Sequence, residues 1–445
     1  TLDGPGPDLR RVRDGQRVVV FEQTAEVLEK RLGFRTTEYG LRQVWPRVKD
    51  HPLLEGLSAE HLRDWRGEAT IVPPKLTYTV RPMHGPTVQW CGIDVPRAWR
   101  CGCYGNVASV LIEKPARGDF LPIVDGGFSL QYSPLMEYRE GKGSVLFCQL
   151  DVTGRTESDP AAERIVRNIF SYVCNPRQAA LRSLPAGRQI PPSGSLPSSR
   201  NERDVGKDAL TGTLQAHATA HTLLYAGEEP GKAYLERMGL EVKPVGKPLA
   251  KDALLVIGPG GAKGLAGRAA ELAEWLKGGG RLLAIALDEA AAGSFLPFQV
   301  KMARAEHIAA FFEPFGPDSP LAGVCPADVH NRDPRTLPLL APGQAGLTVV
   351  GDGVLGVAAG GHVVFCQLAP WQFDSPGQYN LRRTFRRTSV LMMRLLGGLG
   401  ASGSTPLLKR FAAGIDKAKA EKRWLDGLYL DTPEEWDDPY RFFRW

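Results

Sequence analysis

The sequence predicts an α/β protein built from two doubly wound, mostly parallel sheets, one in each copy of a duplicated unit. Three observations lead there. The strand "GSVLFCQLDV" at 143–152 returns as "GHVVFCQLAPW" at 361–371. Stretches before and after each strand align in the same order, which is the signature of a repeat. In the second copy, short continuous apolar runs alternate with amphipathic helical patterns, as strands covered on both faces require.

Taken in order, "DGQRVVVFEQTAEVLEKRLGF" (14–34) aligns with "GGGRLLAIALDEAAAGSFLPF" (278–298), Arg17 falling on Arg281. "HPLLEGLS" (51–58) aligns with "SPLAGVCP" (319–326). Each Phe-Cys-Gln-Leu strand is followed by an amphipathic helix, "DPAAERIVRNIFSYV" (159–173) and "NLRRTFRRTSVLMMRLLGGL" (380–399). The first copy holds about 50 extra residues between Leu57 and Val145, a β-rich insertion expected over about 68–120. It contains "TVQWCGIDVPRAWRCGCYG" (87–105). Insertions of this kind mark loop regions and often the functional face.

The second copy opens with a strand, "HTLLYAG" (221–227), and a helix, "PGKAYLERMGL". "DALLVIGPGG" (252–261) is a buried strand ending in a Gly-Pro-Gly turn, and "AGRAAELAEWLKGGG" (266–280) a helix with a glycine stop. "RLLAIAL" is the next strand. The first copy lacks this opening half, since only sixteen residues precede its "RVVVF". A parallel sheet without those strands has an uncovered edge. We expect a longer parent chain to cover it, the other option being another segment of this one.

The expected organisation is a first, N-terminally incomplete copy over 1–174, a Pro/Ser/Arg-rich linker over 175–212, a second copy over 213–400 and an aromatic tail over 401–445. The tail ends "WDDPYRFFRW", and Trp436, Tyr440, Phe442, Phe443 and Trp445 are expected to dock on a surface of this chain or another.

Composition narrows the classes. Across 445 residues the net charge is +6, with 43% hydrophobic and 23% charged residues, as in ordinary globular proteins. No Lys/Arg run resembles a nucleic-acid stripe, and no apolar run approaches a membrane span. No signal peptide is visible, and the chain opens on Thr1 without an initiator Met. A trimmed start is expected rather than a self-cleaved Thr nucleophile. The seven cysteines (91, 101, 103, 148, 174, 325 and 366) cannot all pair. Cys148 and Cys366 sit in apolar runs as buried thiols. Cys101 and Cys103, near Cys91, leave a metal, a bridge or neither open, so the compartment is not fixed.

With "VIGPGG" ahead of "FCQL", the order of elements resembles class I glutamine-amidotransferase-like domains, of flavodoxin-like layout. That family places a Cys nucleophile on a strand-to-helix elbow and its His and Glu partners after a late strand. Carried over residue by residue, Glu22 and Ala286 take the Cys place. Asp151 and Thr153 take the His and Glu places in the first copy, and Ala369 and Trp371 in the second. Neither copy keeps a triad member. Amidotransferase activity is not expected, and the strand persists as scaffold.

Residues 109–151 and the terminal "LDTPEEWDDPYRFFRW" are similar to C-terminal regions of long bacterial glycoside hydrolases related to family 2, the β-galactosidase-like enzymes. This resemblance implies an accessory region, with the catalytic barrel and sugar-binding domains upstream as its partners. It implies O-glycosyl hydrolysis by the parent and a periplasmic or secreted location, and it leaves room for homo-oligomerisation. A retaining mechanism needs two carboxylates about 5 Å apart. Glu22, Asp125, Asp151, Glu434 and Glu435 are candidates, and no pair among them is evident in the sequence.

Glu22, Asp151 and Arg155 form either a small polar pocket or a buried ion pair filling a lost site; the second is expected. Trp90, Trp99 and Arg100 in the insertion either stack on sugar rings or pack the insertion down, and packing is expected. His217 and His221 have the spacing of zinc ligands without the accompanying Glu, so no metal site is expected. "GPGGAKG" (258–264) misses the Walker spacing and reads as a tight turn. No catalytic residue and no cofactor is assigned. The function expected is that of an accessory region. The alternatives are a stand-alone carbohydrate-binding protein and a hydrolase using Glu22 and Asp151.

Overall fold

The computed structural model describes residues 5–67, 87–90, 93–96, 105–174, 222–375, 377–415 and 427–432. The first copy contributes β1 (Arg17–Val20), β2 (Thr36–Leu41), β3 (Trp45–Pro46), β4 (Thr87–Trp90), β5 (Ile93–Pro96), β6 (Ala108–Glu113), β7 (Asp119–Gly126), β8 (Tyr132–Glu140), β9 (Gly143–Cys148) and α1 (Pro160–Cys174). The second contributes β10 (Thr222–Ala226), α2 (Glu229–Arg237), β11 (Val242–Pro244), β12 (Ala253–Ile257), α3 (Ala269–Lys277), β13 (Arg281–Ile285), α4 (Glu289–Gly293), β14 (Met302–His307), β15 (Arg335–Leu340), β16 (Leu347–Val350), β17 (Leu355–Ala358), β18 (Val363–Cys366) and α5 (Tyr379–Gly398). A short α6 (Leu407–Ala412) follows.

The chain is α/β, with two seven-stranded sheets. In the second sheet the order is β11-β10-β12-β13-β18-β17-β16, and the first five strands run parallel. That is the flavodoxin-like order 2-1-3-4-5. The apolar run Ala253–Ile257 lies at its centre and is buried throughout, because helices cover both faces. In the first sheet the parallel pair is β1–β9, and β9, β8, β7 and β6 pair antiparallel. Only Gly141 and Lys142 separate β8 from β9, and so short a turn permits no parallel return.

The repeat read from sequence is a repeat of register. Val18 lies opposite Val145 and Val19 opposite Leu146, just as Leu282 lies opposite Val363 and Leu283 opposite Val364. On the far side Leu135 meets Cys148, and Leu355 meets Cys366. The surroundings differ. β13 is flanked by β12, whereas among the described residues no strand pairs with the other side of β1. Val18, Val19 and Val20 are accordingly half-buried, while Leu282, Leu283, Ala284 and Ile285 are buried.

One face of the first sheet is covered by α1, whose Ala161, Ala162, Ile165 and Ile169 pack with Leu146 and Cys148. Its other face, with Phe34, Phe120, Met136 and Phe147, shares a core with Leu254, Val256, Leu283 and Val364 of the second sheet. Helix α5 lies in that core through Val390, Leu391, Met393, Leu395 and Leu396. Arg394 of α5 ties the halves together, donating to Ala322 O, Phe120 O and Asp119 Oδ1. Arg47 does the same, donating to Gly323 O at 2.6 Å and pairing with Asp125 and Asp328.

Part of the tail docks on this chain. Leu407 and Leu408 are buried, and Phe411 stacks on Phe147 at 6.1 Å. Further on, Leu428 is buried, Tyr429 donates to Glu113 O at 2.7 Å, and Asp431 pairs with Arg35 and Arg386. The linker 175–212, His217, His221, Trp99, Arg100, Cys91, Cys101, Cys103, Glu434, Glu435 and the terminal aromatics lie outside the described residues, and of Trp90 only the backbone is described. No described helix is long and apolar enough to cross a membrane.

Candidate functional site

Strand β1 delivers Glu22 to the C-terminal end of the first sheet, and the loop after β9 delivers Asp151, Thr153 and Arg155 to the same end. That is where open α/β sheets hold ligands. Glu22 is 5% exposed, Asp151 1% and Arg155 0%. Each carboxylate is fully engaged. Glu22 Oε1 accepts from the Thr153 amide at 2.8 Å and Oε2 from Thr153 Oγ1 at 2.9 Å. Asp151 accepts from the Ser109 amide at 3.1 Å and from Ser109 Oγ at 2.6 Å. Burial pushes the Asp151 carboxyl up to about 7; the Ser109 hydroxyl and Arg155 oppose that rise, and Glu22 adds to it. Cys148, below them, is also pushed up by burial and is a thiol rather than a nucleophilic thiolate.

Glu22, Asp151 and Arg155 are thus buried together, with the two carboxylates bonded to Thr153 and Ser109 and the guanidinium turned to backbone. Arg155 Nη2 donates to Gly67 O at 2.9 Å, and Nη1 donates to Asn106 O. Asp159 accepts from the Arg66 amide at 2.8 Å while its other oxygen caps α1 through the amides of Ala161 and Ala162. Asp151 holds Ser109 and donates its own amide to Val107 O at 2.8 Å. Gly67 and Asn106 flank the segment that carries the Trp-rich insertion. Asp151, Arg155 and Asp159 thus bond the described residues that bracket the Trp-containing segment, Arg66 and Gly67 before it and Asn106 to Ser109 after it. Ser109 and Asn106 had no signal in the sequence. Asp159, directly before Pro160 and an apolar helix, did carry one.

The second copy closes the equivalent end with apolar groups and backbone. Ala286 follows β13, and Ala369, after β18, is 1% exposed. Trp371, in the Glu place, packs on Tyr234 with ring centroids 5.7 Å apart and donates its indole N–H to Glu228. At the topological switch between β10 and β12, Glu228 N donates to Pro259 O at 3.0 Å and Gly258 N to Ala226 O at 2.8 Å. A Cβ on Gly261 would lie 2.1 Å from Ala226 O, so only glycine lets the Gly-Pro-Gly-Gly turn seal that crevice. The turn reading of this motif holds.

The conserved-looking glutamine of the two strands also diverges in use. Gln149 brackets Gln23, accepting from its amide at 2.9 Å and donating to its carbonyl at 3.0 Å. Gln367 instead points Nε2 at Met302 Sδ, and its Oε1 is buried without a hydrogen-bond partner. Asp125, the other acid singled out, is spent in the inter-half network with Lys114 and Arg47. Among the described residues no group of three or more His, Cys, Asp or Glu side chains could hold a metal ion, and Cys148, Cys174, Cys325 and Cys366 are free thiols.

No protein-family model matches the chain, and no curated protein matches it in sequence. Among solved structures, the chain is similar to PurLQS from Thermotoga maritima at 13% identity and a TM-score of 0.28, over 41% of this chain and all of that one.

Proposed function

We propose that this chain is a non-catalytic accessory region of a larger carbohydrate-active glycoside hydrolase, serving domain packing, oligomerisation or substrate access. The observation that carries the reading is the side of β1 with which no described strand pairs, with Val18, Val19 and Val20 only half-buried where β13 has a flanking strand and Leu282 to Ile285 are buried. An edge of that kind calls for a covering segment. The occupied triad positions support the same reading, because both sheet ends are spent on internal bonds. The carbohydrate context comes from the resemblance of residues 109–151 and the tail.

The test is the intact mass of the protein from its native host, paired with glutaminase and glycosidase assays of this 48.5 kDa chain. A larger mass with no turnover by this chain supports the proposal. A native mass near 48.5 kDa, or turnover abolished by Glu22→Gln, overturns it. A second reading, glycan binding through Trp90, Trp99 and Arg100, is favoured by the bonds of Asp151, Arg155 and Asp159 to the residues that bracket their segment. It expects glycan affinity of the isolated chain that Trp99→Ala removes.

A further inference from the structure

Between the halves, the loop Gly127–Gln131 overhangs a small cavity that reaches the 3-10 turn Pro326–Val329 and helix α5. Lys114, Ser129, Gln131, Asp328, Arg386 and Arg387 contribute to its walls. We propose that this cavity is a binding site for a small monoanion, a carboxylate group entering head first. The inference stands independently of the accessory reading.

Charge accounting comes first. Glu113 and Asp328 are the acids in the lining, and Lys114, Arg386 and Arg387 the bases, which leaves one positive charge in excess. Lys114 is paired with Asp125 at 3.0 Å, and Arg386 with Asp431 at 2.6 Å and Glu113 at 3.3 Å. Asp328 is taken by Arg47 and by the Cys325 amide at 3.0 Å. Arg387 has no ion pair among the described residues. Its guanidinium meets His330 Nδ1 at 2.6 Å and donates to Ser129 Oγ at 2.7 Å. Burial, Arg387 and Arg332 hold His330 below its ordinary value, so it is a neutral acceptor that supplies no counter-charge. A half-buried guanidinium without a counter-ion is costly, and an anion relieves that cost.

Two further features point into the same space. Gln131 Nε2 is a buried donor without a hydrogen-bond partner. Ser129 and Leu130 lie one after the other in the left-handed region, at φ 58° and 52°. Neither is glycine, and a pair of such residues persists only where the surroundings impose it. Here Arg387 holds Ser129, and Lys114 Nζ holds Leu130 O. The loop is thus pinned by two lining cations, one of them Arg387, which has no ion pair among the described residues.

Size and charge select the ligand. The cavity holds about 20 Å³, room for a water-sized group and not for a sugar ring or nucleotide. A dianion such as phosphate would also face Glu113 and Asp328 at close range. A carboxylate can accept from the Arg387 N–H groups not spent on His330 and Ser129 and from the amide donor of Gln131.

The experiment is a titration of the whole chain with sodium acetate, sodium chloride and sodium sulfate at constant ionic strength, read by calorimetry and by thermal unfolding. Saturable acetate binding that Arg387→Gln weakens by about tenfold or more is expected, that being the scale of one charge-assisted hydrogen bond. Gln131→Leu should weaken it as well without altering charge. Arg387→Lys should retain part of it, and Arg167→Gln on the exposed face of α1 should leave it unchanged. Non-saturable behaviour in the parent chain, equal binding by sulfate, saturation by chloride alone, or full acetate affinity in both Arg387→Gln and Gln131→Leu would each overturn the assignment.

Discussion

The two sheet ends begin from one register and finish with opposite chemistry. In the first copy the end of the sheet is polar: Glu22, Asp151 and Arg155 are buried, with Glu22 bonded to the half-buried Thr153, Asp151 to Ser109 and Arg155 to Gly67. In the second it is plugged by Ala286, Ala369 and Trp371. In the first copy the polar groups hold the backbone at Gly67 and Asn106. In the second, small and apolar side chains fill the same end of the sheet. One strand register therefore supports two ways of filling the end of a sheet.

The sharpest way to break this comparison is Arg155→Met. It strands the carbonyls of Gly67 and Asn106 and removes the charge facing Asp151. A fully buried guanidinium lost from such a network costs about 3–5 kcal/mol, to be measured as a shift in urea midpoint at unchanged m. The apolar plug should be less sensitive. Trp371 is only half-buried, so Trp371→Ala is expected to cost about 2–3 kcal/mol, below the range for fully buried aromatics. If Trp371→Ala proved the more damaging change, the second sheet end, and not the Arg155 network, would be the one that organises its surroundings.

Next in size is a pH effect peculiar to the first copy. Asp151 is held near 7 when folded, against an ordinary value of 3.8. The folded chain therefore keeps a proton that the unfolded chain releases. Stability from this group is complete below about pH 4, declines as pH rises toward 7 and is flat above it, with a slope of at most about 1.4 kcal/mol per pH unit. Asp151→Asn should lack that decline. The check is the difference in unfolding free energy between the parent and Asp151→Asn from pH 4.5 to 8; a constant difference would show that Asp151 is ionised throughout and bound as a carboxylate.

Much of this layout was legible in the sequence, for reasons of periodicity. Apolar runs such as Ala253–Ile257 and the paired Phe-Cys-Gln-Leu strands can be read without neighbours, since burial on both faces leaves no polar position. That Ala286 and Ala369 carry no reactive group could likewise be read without neighbours. What could not be read were pairings that join distant segments. Ser109 with Asp151, Arg155 with Gly67, and Arg387 with Ser129 across 258 positions leave no local pattern. The antiparallel surroundings of β9 were also hidden, since β6 and β7 come from or beside the insertion, where the second copy offered no template.

The smallest predicted effect concerns backbone alone and tests whether the elbow after β13 is strained. Ala286 sits at φ 48°, in the left-handed region, with its amide bonded to Cys366 O at 2.8 Å. Glu22, its counterpart, is not among the residues with positive φ. A Cβ in that region costs about 1–2 kcal/mol, and glycine gives back roughly 0.5–1 kcal/mol through the freer unfolded chain. Ala286→Gly should therefore stabilise the protein by up to about 1 kcal/mol, whereas Glu22→Gly destabilises it by losing both bonds to Thr153. Thermal unfolding of the two variants side by side reads this directly. Opposite signs mean that the elbow after β13 holds backbone strain that the elbow after β1 does not. Equal losses would mean that the Ala286 backbone is relaxed, and that the two elbows differ in side chains alone.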